Sequence, residues 1–105
     1  MKTPVNWVKS MCIVKSGTRL LVSKDYDKVK QSYYYRPLGG SIEFREHSAE
    51  AVKREFIEEI GANLENLKYL GVIENIFSME GEDYHEIDFI YEGDLKEKDI
   101  YTGKR

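Results

Sequence analysis

The stretch GSIEFREHSAEAVKREFIEEIGA, from Gly40 to Ala62, decides how the rest of the chain is read. Ser48 suits a helix N-cap, because its hydroxyl can accept from an orphan amide in the first turn. Gly61 suits the position just past the helix, where a left-handed backbone is often required. Between them Ala49, Val52, Phe56 and Ile60 recur at spacings of three and four and make one apolar stripe. At about 100° per residue, Glu55, Glu58 and Glu59 fall within an arc of roughly 100° on the opposite side. That crowding is unfavourable in itself, since like charges four apart, as Glu55 and Glu59 are, cost about 0.2–0.5 kcal/mol. For an arbitrary helix a solvated acidic face would be the ordinary explanation. Here the pair Gly39-Gly40, read as a tight turn, and the Arg54-Glu55 step stand beside it. A hard divalent cation such as Mg²⁺ takes one or two carboxylates plus waters and substrate phosphates. Carboxylates facing a glycine turn supply such ligands and leave room for a phosphate.

The same residues resemble the Nudix box, G-x5-E-x7-R-E-U-x-E-E-x-G-U, where U is a bulky apolar residue. Gly40, Glu46, Arg54, Glu55, Glu58, Glu59 and Gly61 fill every fixed position. Phe56 and Ala62 fill U positions, one aromatic and one small. So many residues at fixed spacing form a far more specific signal than a lone glycine motif. The resemblance implies an α/β fold, a mixed sheet with the box helix packed on it, and a single Nudix-type domain over residues 1–105. It implies hydrolysis of a pyrophosphate bond in a nucleoside diphosphate linked to another group, of nucleotide, sugar-nucleotide, dinucleotide or ADP-ribose type. Mg²⁺ or Mn²⁺ would be held by Glu55, Glu58, Glu59 and a backbone carbonyl at Gly39 or Gly40. Arg54 would orient the glutamates through bidentate pairing. Glu55 or Glu86 would take the proton of the attacking water, Glu86 standing in for a carboxylate that these enzymes often draw from outside the box. The alternative is a regulatory module that binds nucleotides without cleaving them; such modules commonly lose box glutamates, and this chain keeps them. A purely structural domain with an acidic helix is disfavoured by the motif match.

A length of 105 residues fits one domain with a modest core. With 41% hydrophobic and 33% charged residues, the composition is that of an ordinary soluble protein. A net charge of −3 offers no basic field for duplex nucleic acid, and an acidic protein that handles phosphates needs metal ions against repulsion. Cys12 is the only cysteine, so no internal disulfide forms and a reducing cytoplasm is the expected setting. No apolar run approaches the ~20 residues of a membrane span, and the N-terminus lacks the apolar core of a signal peptide.

Trp7 to Val14 reads as a strand covered on both faces, with Val8, Cys12 and Val14 on one and Trp7, Met11 and Ile13 on the other. Ser16-Gly17 marks a turn into a return strand, Arg19 to Ser23. Lys24 to Gln31 reads as a solvated loop, with a cationic approach to substrate phosphates as the alternative. Tyr33 to Tyr35 read as strand, which Pro37 ends or places at an edge. Arg36 and Tyr35 are the substrate-binding candidates, the tyrosine by stacking on a base. Ser41 to Phe44 reads as a short strand with Ile42 buried.

Beyond the helix a strand from about Lys68 to Glu74 is followed by Asn75 to Met79, which continues or pairs with it, and by a turn at Glu80 to Asp83. Tyr84 to Tyr91 alternates, with Ile87, Phe89 and Tyr91 on one side and Glu86, Asp88 and Ile90 on the other. His85 therefore points away from Glu86 and is read as a surface residue. The charged segment Asp94 to Arg105 is too short for the helix that usually covers the sheet in the family resembled. That layer is expected to be absent or truncated, leaving an apolar sheet face that favours a homodimer.

Overall fold

Apolar side chains alternate on both faces of the segment around Cys12, and it becomes the centre of the sheet. In the computed structural model, which describes residues 5–99, this segment is β1 (Val5–Ser16). The tail from residue 100 onward and the first four residues lie outside the described residues. After β1 come β2 (Arg19–Leu20), β3 (Val22–Asp27), β4 (Ser32–Ser41), α1 (Ser48–Ile60), β5 (Leu64–Met79) and β6 (Glu82–Leu95). The sheet order is β3-β4-β1-β6-β5, with β1 and β6 parallel and the other neighbours antiparallel. This is the expected mixed α/β sheet with the box helix on one face. Among the described residues α1 is the only α-helix, and no helix lies over the opposite face. No helix among them is long and apolar enough to cross a membrane, which says nothing of β-barrels.

The core lies between the sheet and α1. Cys12, Val14, Leu38, Tyr91 and Leu95 meet Val52, Phe56 and Ala62 there. Val52 and Phe56 are 0% exposed, and burying such side chains stabilises the fold by about 1.5–3 kcal/mol each. Cys12 is a packing residue: burial, followed by the charges of Glu92 and Asp94, pushes its thiol up to about 12.

The helix ends where Gly61 adopts φ 64° and ψ 30°, its amide donating to the Ile57 carbonyl at 3.0 Å. Its start differs from expectation. His47 is the N-cap, and its amide donates to Glu50 Oε1 at 3.1 Å. Ser48 is instead the first helical residue, drawn to the sheet: its hydroxyl pairs with that of Tyr91, and its carbonyl accepts from Ser10 Oγ at 2.8 Å.

Other boundaries move for identifiable reasons. The return strand pairs with β1 only at Lys15↔Leu20 and Ser16↔Arg19. The chain then crosses to β4, so Lys24 to Asp27 are strand rather than loop. Aromatic pairing favours this register: Lys24 Nζ lies 4.3 Å from the centre of the Tyr33 ring, and Tyr26 meets Tyr33 edge-on at 4.9 Å. Pro37 does not end β4. It sits where β4 changes neighbours, opposite Val22 of β3, while Leu38 is already opposite Cys12 of β1. Gly39 and Gly40 form no turn; both belong to β4. The strand stops at Ser41, leaving Ile42 half-buried and Phe44 94% exposed. Lys68 to Met79 belong to one long strand, interrupted by bulges but not by a turn. The turn into β6 has φ 51° at Glu80 and 79° at Gly81, the positive pair of a type I′ hairpin.

The two ends of the sheet curl toward each other. Lys30 Nζ donates to the Ser78 carbonyl at 2.9 Å, and the Tyr34 hydroxyl lies 3.0 Å from Met79 Sδ. The Glu80 amide reaches Asp27 Oδ2 at 3.4 Å. Behind these contacts, on the face away from α1, is a cavity of about 840 Å³.

Candidate functional site

Arg54 organises the box. Its Nε and Nη2 donate to the two oxygens of Glu46 at 2.8 and 3.0 Å, the bidentate geometry that guanidinium and carboxylate share. Nη2 also donates to the Ser41 carbonyl at 3.0 Å, and Nη1 to Glu55 Oε1 at 3.0 Å and Glu58 Oε2 at 3.1 Å. One side chain thus ties the loop before the helix, the end of β4 and two box glutamates together. These bonds hold the Arg54 guanidinium even more firmly charged than usual, and Arg54 in turn keeps Glu46 below the ordinary carboxylate range.

Glu55 lies against Gly40. A Cβ on Gly40 would sit 2.4 Å from the Glu55 carboxyl carbon, so the missing side chain makes the room for the carboxylate. Glu59 is one turn further on and touches Glu55. Burial, then the charge and hydrogen bonding of Glu55, hold the Glu59 carboxyl above its ordinary range. Two carboxylates in contact favour a shared proton or a cation. The donor set, hard oxygens beside a strand backbone with no side chain in the way, fits a divalent cation. Glu55 and Glu59 would hold it, with Gly40 beside them. Glu58 is turned toward Arg54, and among the described residues no three acidic or imidazole groups already converge on one point.

Glu86 lies elsewhere. It extends from β6 into the cavity, on the face away from α1, together with Lys9 and Asp88. Lys9 Nζ is 3.0 Å from Glu86 Oε2 and 4.4 Å from the centre of the Trp7 ring. Glu86 thus faces the cavity and is paired with Lys9. The sequence placed Glu86 and Asp88 on one face, but not Lys9 beside them; two acids alternating through an apolar strand with apolar flanks were the available signal. His85 is at the surface as expected, 3.5 Å from Glu74 Oε2. Arg36 and Tyr35 both line the cavity, Arg36 also facing Asp25 at 3.7 Å. The charge of Arg36 acts on both Glu59 and Asp88, so the cavity and the box meet along β4.

The buried acid pair has a measurable cost. The Asp88 carboxyl is pushed up to about 6, first by burial and then by the charge of Glu86. Its unfolded value is about 3.9. The folded state therefore binds the proton more tightly, and the stability gained by protonation at low pH is lost as pH rises through 6. Asp88→Asn, which cannot ionise, is expected to gain on the parent by on the order of 2 kcal/mol between pH 4 and pH 7. Urea unfolding at the two pH values measures the gap; a gap that does not change with pH would contradict the assignment.

Comparisons with known proteins agree with this fold. A family model described as NUDIX domain matches residues 7–103. No curated protein matches the chain. A NUDIX hydrolase from Nitrosomonas europaea superposes with a TM-score of 0.66 at 18% identity, over 85% of this chain and 58% of that one. A MutT NUDIX hydrolase from Burkholderia pseudomallei gives 0.59 at 23% identity, over 93% of this chain and 78% of that one. A protein described as an ADP compounds hydrolase gives 0.63 at 24% identity, over 87% and 47%. At such identities these are likenesses of fold, and the chain spans 58% of the length of the Nitrosomonas protein. With a family match over nearly all of the described residues and the Arg54-centred box in place, the chain belongs to the Nudix family.

Proposed function

We propose that the protein hydrolyses a pyrophosphate bond in a nucleoside diphosphate linked to a further group, with Mg²⁺ or Mn²⁺ as cofactor. The observation that carries this is the Glu55 carboxylate lodged against Gly40, touching Glu59 and steadied by Arg54. A bound divalent cation supplies charge neutralisation at the phosphate and acidifies water. Glu55 accepts the proton of the attacking water, as the box carboxylate best fixed in position. Water oxygen bonds to phosphorus as the bridging P–O bond breaks, and the second phosphate leaves with the bridging oxygen. Arg54 keeps Glu55 and Glu58 in place, while Arg36 at the cavity edge meets substrate charge and Tyr35 flanks the base. With Cys12 the only cysteine no internal disulfide can form, which supports a cytoplasmic setting, and exposed Ile73 and Ile76 on β5 support a homodimer.

A panel of ADP-ribose, sugar nucleotides, dinucleoside polyphosphates and nucleoside triphosphates, assayed with and without Mg²⁺, tests the proposal. Metal-dependent cleavage of at least one class is the expected result. Binding without cleavage in the presence of metal would identify a regulatory module instead, and neither binding nor cleavage would remove the proposal altogether.

A further inference from the structure

The two edges of the sheet differ. At one, β3 carries Lys24, Asp25 and Asp27 within six residues. At the other, β5 is the last strand in the order, and one side of its backbone has no strand beside it among the described residues. Short length, charge and proline are the usual guards of an edge. From Gly71 to Phe77, GVIENIF, β5 has no proline and a single charged residue, Glu74. Val72 is 45%, Ile73 54% and Ile76 73% exposed. Val72 and Ile76 share the α1 side of the sheet, opposite Phe89 and His85, while Ile73 faces the cavity side.

The register of the hairpin defines the open stretch. The two-residue turn at Glu80-Gly81 makes Met79↔Glu82 a hydrogen-bonded pair, and from there the ladder alternates without a shift back to Gly71. Val72, Glu74 and Ile76 therefore turn their N–H and C=O groups away from β6. Ser78 does so as well, but its carbonyl accepts from Lys30 Nζ at 2.9 Å. At the other end the bulge between Tyr69 and Gly71 interrupts the strand. The open stretch is thus bounded on both sides and centred on Glu74, with Val72 and Ile76 equally far from the centre.

We infer that this stretch pairs with the same stretch of a second copy, antiparallel about a two-fold axis at Glu74, so that one sheet runs through both subunits. This rests on the homodimer reading and names its surface. A two-fold contact needs a patch complementary to its own rotated image. Here Val72 meets the partner's Ile76, and Ile76 the partner's Val72, on one face; Ile73 meets the partner's Asn75 on the other. The outward N–H and C=O groups of Val72, Glu74 and Ile76 all find partners, and such main-chain bonds give strand addition its affinity. Ile73 and Asn75 both line the cavity, so each subunit extends a wall of the other's. The two Glu74 carboxylates face each other across the axis, each with its own His85 Nε2 at 3.5 Å. Like charges placed directly opposite weaken the pairing.

Sedimentation of the full chain across about 1 μM to 1 mM reads the mass, and hydrogen exchange reads the edge. The expected result is a reversible dimer in which the amides of Val72, Glu74 and Ile76 slow as concentration rises. Glu74→Pro removes an N–H that β6 does not use, so the subunit should fold while dimerisation is lost. If Glu74→Pro does not fold, Ile76→Lys, at the most exposed position of the stretch, takes its place. Glu74→Gln should tighten the dimer by about two- to five-fold. A monomer at every concentration overturns the inference together with the homodimer reading. A dimer whose Val72, Glu74 and Ile76 amides exchange as in the monomer, or one that survives Glu74→Pro, overturns the edge pairing and leaves the homodimer reading standing. Assembly beyond a dimer overturns the two-fold, because an edge used this way is closed. A Glu74→Gln dimer weaker than the parent overturns the register. None of these outcomes turns on hydrolysis, which is assayed separately.

Discussion

Glu55→Gln is expected to lower the metal-dependent rate by about 10²–10⁴-fold, the usual contribution of a positioned base. The amide keeps the shape that fills the space beside Gly40, so the fold should survive. What is lost is the acceptor for the water's proton together with one of the carboxylates that would hold the metal. Glu86→Gln is the control. Its carboxylate is paired with Lys9 and faces the cavity, so the change should leave kcat within a few-fold. A pH–rate profile separates the two: the acidic limb should vanish or shift in Glu55→Gln and persist in Glu86→Gln. If Glu86→Gln carries the larger loss in kcat with that limb altered, the base lies on the cavity side and Glu55 serves only the metal.

Neighbouring glycines should fail in opposite ways. A Cβ on Gly39 would lie 2.0 Å from the Ser10 carbonyl oxygen and 2.7 Å from the Met11 Cα, both backbone atoms of β1. Neither can swing aside without opening the β1–β4 pairing, which runs through Met11↔Gly39. Gly39→Ala should cost about 3 kcal/mol or more, a large share of the roughly 5–15 kcal/mol a domain has to lose. A Cβ on Gly40 meets a side chain, the Glu55 carboxylate, which can rotate away. Gly40→Ala should therefore melt close to the parent temperature yet lose most of its activity and metal affinity. Thermal melts and metal titrations on the two variants make the comparison; equal loss of stability in both would show that Gly40 serves packing, not the site.

These two residues also mark the boundary of what was legible in the sequence. The box helix was readable because periodicity, a terminal glycine and motif spacing all concern residues within one short segment. That Arg54 orients the glutamates came from the resemblance, but its bidentate partner is Glu46, which the sequence reading did not pair with it. Gly39-Gly40 was read as a turn because glycine serves both positive φ and the close approach of a neighbour, and a sequence does not separate the two uses. Here the neighbours, Ser10 and Glu55, come from different elements. The alternation of Tyr84 to Tyr91 placed Glu86 on the correct face of its strand. It did not reveal that this face meets Lys9, because β1 and β6 are joined in register only through the whole fold. Ser48 was misplaced as the cap for a similar reason: Tyr91 and Ser10, both distant in sequence, claim its polar atoms.

The parallel pairing of β1 with β6 also governs how the protein is made. β1 is the first strand described and β6 the last, and they lie side by side from Val5↔Tyr84 to Val14↔Gly93. Translation at about 5–20 residues per second delivers β6 several seconds after β1 has emerged. Through that interval Cys12 and Val14 on one face, and Met11 and Ile13 on the other, lack the neighbour that completes their cover. β5 and β6 need no such wait, since a two-residue turn lets a hairpin close in about 1–10 μs. The hairpin can then present its β6 edge to a strand already waiting. Refolding should accordingly be limited by this non-local docking, in the millisecond-to-second range typical of sheet-dominated topologies. Nascent chains stalled before Glu82 should be aggregation-prone in proportion to the time they are held, because the shelter of the oldest strand depends on one synthesised long after it.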